Sequence, residues 1–112
     1  MSARWHILRD GDSVTLCRQL PPRLELAVQA VLPGGDPVRL AHQIRQDLWR
    51  ALRQVRGFSP VVRLDPVPEG WAVTAGGRAP RPIADALFAR ARGVLDDPAN
   101  RARWVRHAGG AK

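Results

Sequence analysis

The chain has 112 residues, 45% of them hydrophobic, and its 18 basic residues outnumber 10 acidic ones to give a formal net charge of +8. That length supports one domain with one core, since a domain near this size buries about two thirds of the surface its unfolded chain exposes. The supply of Leu, Val, Ile and Trp excludes disorder through low hydrophobicity. The lone cysteine, Cys17, excludes an intramolecular disulfide framework.

The N-terminus, MSARWHILRDGD, has no apolar h-region. No apolar run approaches the roughly 20 residues that span a bilayer. A cytoplasmic protein without membrane contact is therefore expected. Seventeen of the basic residues are Arg, with Lys112 the sole Lys. The wealth of Ala, Arg, Gly, Pro and Val points to a coding bias, so the preference for Arg is not itself a sign of bidentate recognition. The net excess is a different matter, because it draws the chain to polyanions and acidic surfaces at low salt.

In chain order, residues 4–9 (RWHILR) read as a short strand, and Asp10-Gly11 as a tight hairpin turn with both central positions open to positive φ. Alternation from Ser13 to Leu20 gives a second strand, broken by Pro21-Pro22. From Arg23 to Leu32, Leu24, Leu26, Val28, Ala30 and Leu32 fall on one side at period two, a third strand. Pro33-Gly34-Gly35 then leads into the strongest signal in the chain. Asp36 is a good N-cap, Pro37 suits the first helical position, and Gly57 supplies a left-handed stop. Between them Ala41, Ile44, Leu48, Ala51, Leu52 and Val55 make one apolar stripe.

Residues 60–67 and 71–75 flank Pro68-Glu69-Gly70 as a second hairpin, with Val62 and Leu64 on the side of Trp71 and Val73. Pro66 places its strand at an edge or ends it early, and Gly76-Gly77 reads as a loop. A helix from about Pro82 to Leu95 buries Ile83, Leu87, Ala91 and Val94. Asp97-Pro98 repeats the cap-plus-proline start for a last helix, ended by Gly109-Gly110. The order βββ-α-ββ-αα implies an α+β domain with a mostly antiparallel sheet of about five strands, the long helix lying across one face.

Enzymatic signatures are absent from the motifs. The glycines occur in turns with no phosphate-cradling spacing. His6, His42 and His107 fall in different elements, and Asp47, five residues from His42, points well away from it on a helix. No metal or cofactor is therefore expected, and catalysis would require a pocket that unites the histidines in space.

The helix face opposite the apolar stripe is the candidate site. His42, Arg45, Trp49, Arg53 and Arg56 recur along it, in a segment (36–58) with five Arg against two Asp. An indole among guanidinium groups suits base stacking plus phosphate contact, the two terms of single-stranded nucleic-acid binding. Against this stands the view that Trp49 merely flanks the core, with Arg45 or Arg53 stacked on it. In the tail, Arg103 and Arg106 beside Trp104 extend the basic surface, unless Trp104 and Val105 anchor the last helix. Three readings follow: a nucleic-acid-binding module, an interaction module for an acidic protein surface or a homodimer, and a small enzyme.

Overall fold

The computed structural model describes residues 4–109. Five strands and three helices follow in the expected order: β1 (His6–Asp10), β2 (Ser13–Cys17), β3 (Leu26–Leu32), α1 (Pro37–Leu52), β4 (Ser59–Val67), β5 (Gly70–Arg78), α2 (Asp85–Asp96) and α3 (Pro98–His107). Ser2, Gly110 and Lys112 lie outside the described residues. The strands form one antiparallel sheet in the order β1-β2-β4-β5-β3.

Alternation sets the two faces of this sheet. Leu16, Leu26, Val28, Leu32, Val62, Leu64, Val73 and Ala75 project to one side, and α1 lays Leu40, Ala41, Ile44, Leu48 and Leu52 on them. Each Leu or Ile sealed there is worth about 1.5–3 kcal/mol over an exposed one. The register places Val62 and Leu64 on the side of Trp71 and Val73, as the sequence pattern requires. Trp71 also donates its indole N–H to the Gly35 carbonyl at 2.9 Å, tying β5 to the loop that starts α1.

Several boundaries differ from the sequence reading, each for a local reason. The first turn is built on Gly11-Asp12, closed by the pair Asp10 and Ser13, and only Gly11 has positive φ (59°). Glycine at the first central position suits the twist of a two-residue hairpin. Gly76-Gly77 is strand, not loop. These glycines lie in β5 between β4 and β3, where a Cβ on Gly76 would strike the Leu26 carbonyl and one on Gly77 the Ser59 carbonyl. Pro66 lies on an interior strand, yet β2 pairs only with Val61–Leu64, so the missing N–H falls where no neighbour needs it.

The long helix ends at Leu52, with Arg53 as its C-cap, and not at Gly57. Two turns follow, Val55 N–H to the Leu52 carbonyl and Phe58 N–H to the Val55 carbonyl, and Gly57 (φ 80°) serves the second of these. Arg56 is consequently carried on a turn, off the helix. At the other end the Asp36 carboxylate accepts from the Arg39 N–H at 2.9 Å, with Pro37 in the first turn, as the cap signal implies.

The helix layer is locked by one carboxylate. Asp47 is 9% exposed and accepts the Trp104 indole N–H at 2.6 Å and Arg103 Nη1 at 3.0 Å, both on Oδ2. Arg50 reaches its other oxygen at 3.4 Å. Trp104 is 1% exposed, so it anchors α3 to the body. Asp97 caps that helix through the N–H groups of Ala99 and Asn100, and the Ala108 carbonyl accepts from the Asp36 N–H at 3.0 Å. Removing one partner from such a buried network strands the others. Asp47→Ala is expected to lower unfolding free energy by about 1–3 kcal/mol in urea titration, and Trp104→Phe by a similar amount. A change below about 0.5 kcal/mol in both would show that α3 is held by apolar packing alone.

Candidate functional site

One helix carries both polar flanks of this molecule. At about 100° per residue, Asp47 points roughly 160° away from both Arg45 and Trp49. The Asp47 flank receives α3. The opposite flank, with His42, Arg45 and Trp49, turns toward the start of β1, and Trp5 from that segment closes on it. The guanidinium of Arg45 lies 4.5 Å from the Trp5 ring centroid, and the Trp5 and His42 rings meet edge to face at 6.4 Å. Arg45 Nε also donates to His42 Nδ1 at 3.4 Å.

Trp49 belongs to a second aromatic pair. Its ring is near-parallel to that of Phe58 (16°, centroids 6.4 Å apart), and 41% of the residue stays in solvent. The expected cation–π partner is thus relocated: Arg45 stacks on Trp5, while Trp49 rests on a phenyl ring delivered by the turn after α1. Arg53 and Arg56 on that turn are both exposed. His42, Arg45, Trp49 and Arg53 therefore fall on one flank by helical spacing, the first two half-buried and the last two open, while Arg56 is exposed on the turn beyond Leu52.

The tail residues do not join them. Arg103 is turned onto Asp47 and onto Asn100 Oδ1 at 2.7 Å. Arg106 is exposed beside a groove of about 390 Å³ lined by Leu32, Pro33, Arg101, Ala102, Val105 and itself. That groove belongs to the α3 side.

Charge on the free flank is uncompensated. Asp36 is spent on its cap and Asp47 on α3, so no other acid of α1 remains to face it. Among the described residues, ion pairs engage Arg23, Arg50, Arg63, Arg92, Arg101 and Arg103, and none involves Arg45, Arg53 or Arg56. On the helix-free sheet face the opposite holds. Arg63 and Ser13 both bond Asp65, at 3.1 and 2.6 Å, which holds that carboxyl below its ordinary range.

The histidines stay apart. His6 sits on β1, and its pairing with Cys17 turns it to the helix-free sheet face, whereas His42 lies on α1 and His107 ends α3. None of them lines the groove at Arg81 to Phe88, the one between Leu32 and α3, or the one over Gln29 and Asp65. Among the described residues no three His, Cys, Asp or Glu side chains cluster to hold a metal ion, and no helix is long and apolar enough to cross a membrane. Cys17 is fully buried, and burial pushes its thiol up from the ordinary value.

Sequence reasoning missed Trp5 and Phe58 as members of this site. Trp5 reads as cross-strand packing because nothing local marks a partner 37 positions away on a helix. Phe58 follows Gly57 directly, and only the early end of α1 brings it back against Trp49. No protein-family model, no curated protein and no solved structure matches the chain.

His42 offers a test of the half-buried cluster. Burial, and then the neighbouring Arg45 charge, push its pKa below the ordinary value. Its Nδ1 accepts from Arg45, which requires the neutral ring. The unfolded chain therefore binds the proton first, and stability falls as pH drops through about 6.5 and stops falling below the folded-state pKa. The midpoint of urea unfolding is expected to decline between pH 7.5 and pH 5, and His42→Gln to flatten that decline. An unchanged slope in the variant would show that His42 stays solvated and uncoupled from Arg45.

Proposed function

We propose that the free flank of α1 is a single-stranded nucleic-acid-binding surface, with Trp49 stacking on a base and Arg53 and Arg56 contacting phosphates. One observation carries this reading: a two-fifths exposed indole, backed by Phe58, lies about 40° around the helix from Arg53, and among the described residues no ion pair engages Arg53 or Arg56. Stacking on one aromatic is worth about 1–3 kcal/mol and tolerates any base. Phosphate contacts add affinity without sequence preference and make it salt-dependent. Arg45 plays a supporting part, since burial between Trp5 and His42 holds its charge in place at the cost of reach.

The exposed members are the informative ones to change. Arg45→Glu would disturb packing as well as charge, whereas Arg53 and Arg56 carry no partner whose loss would confuse the result. Fluorescence anisotropy with a labelled oligothymidylate is expected to give micromolar or tighter binding at 50 mM salt. With two phosphate contacts, raising salt to 200 mM weakens it roughly 7-fold. The double variant Arg53→Glu, Arg56→Glu abolishes binding at unchanged melting temperature, and Trp49→Ala weakens it about 5- to 150-fold, the stacking range above. Affinity that ignores ionic strength, or survives the double charge reversal, would refute the reading.

A further inference from the structure

The two edges of the sheet are treated differently. On β3 the outward Gln29 carbonyl is taken by Arg92 Nη2 of α2 at 2.7 Å, and α2 packs along that strand. Among the described residues the edge of β1 has no such cover. Its closing pair Asp10 and Ser13 flanks a two-residue turn, and residues facing each other across such a hairpin alternate between bonded and non-bonded pairs. His6, Leu8 and Asp10 therefore bond to β2, while Ile7 and Arg9 send their N–H and C=O groups outward. Among the described residues no backbone or side-chain partner meets them. Ile7 and Leu8 are also large apolar residues left in solvent, at 40% and 37% exposure, one on each face of the strand. Natural edges usually avoid this combination.

We infer that β1 pairs antiparallel with β1 of a second copy of this chain, joining two five-stranded sheets about a two-fold axis at Leu8. The outward groups fix the register. Ile7 and Arg9 must form the bonded pairs, Ile7 to Arg9 of the second copy and the reverse, with four backbone hydrogen bonds in all. Leu8 then faces Leu8 at a non-bonded position, where side chains approach most closely, and buries its exposed area on the axis. His6 falls opposite Asp10 of the second copy twice, so an imidazole N–H can donate to a carboxylate at each end of the paired strands. A register centred on Arg9 would set two guanidinium groups face to face, which is repulsive. One centred on Ile7 would need Trp5, which lies outside the strand and is already packed on Arg45 and His42.

The pairing has a functional corollary. A two-fold axis normal to the sheet leaves both α1 helices on the same face, with the two Trp5–Arg45–His42 clusters toward the axis. Two basic flanks then line one cleft floored by the paired β1 strands.

Sedimentation equilibrium between 5 and 500 μM protein is expected to show mass rising from 12.4 kDa toward twice that value. Leu8→Lys, which sets two charges on the axis, returns the chain to the single mass with an unchanged circular dichroism spectrum. Leu8→Cys places two sulfurs at the non-bonded position, whose close approach suits a disulfide. Under mild oxidation it cross-links at least tenfold faster than the exposed control Ala86→Cys, while Cys17 stays buried. A single-chain mass at 500 μM, a dimer indifferent to Leu8→Lys, or cross-linking no faster than the control would overturn the pairing. No oligonucleotide is present in these experiments, so their failure would leave the nucleic-acid reading untouched.

Discussion

The Asp47 carboxylate organises the helical layer. It is the only acid in α1, and it accepts the Trp104 indole and the Arg103 guanidinium on one oxygen. A buried carboxylate is costly unless its lone pairs are filled, and here they are. No buried side-chain polar atom among the described residues lacks a partner. That bond decides which flank of α1 is structural and which is free. With α3 docked on the Asp47 side, its Arg103 is spent internally, and the flank half a turn away keeps its positive charge.

The free flank is itself arranged by burial. Arg45 is immobilised between Trp5 and a neutral His42, so the first cluster behaves as packing with a charge inside it. Trp49 is different. Phe58 supports it from below, but two fifths of it remain in water. Beside this flank, just after Trp5, β1 begins, and among the described residues its outer edge has no partner.

Much of the architecture was legible in the residues. The Asp36-Pro37 and Asp97-Pro98 pairs announce both helix starts, and alternation at Leu26, Val28 and Leu32 marks the third strand, which begins at Leu26 and not at Arg23. What failed was the reading of glycine. Gly57 looks like a helix stop and serves a later turn. Gly76 and Gly77 look like a loop and are strand residues pressed between two neighbours, a condition that only the tertiary pairing creates. In the site, helical spacing brought His42, Arg45 and Trp49 to one flank, because 100° per residue is local physics. It could not supply Trp5 or Phe58, which arrive from other elements, or show that Arg103 would be claimed by Asp47.

Four indole N–H groups make the molecule its own reporter, since Trp71 and Trp104 donate theirs to Gly35 and Asp47 while Trp49 keeps an open surface. The most direct measurement is an NMR titration of these four signals with a short single-stranded oligonucleotide at low salt. Binding at the free flank of α1 shifts or broadens the Trp49 signal most, moves Trp5 less, and leaves Trp71 and Trp104 in place. A titration in which Trp49 stays still, or moves no more than the buried Trp104, would contradict the assignment.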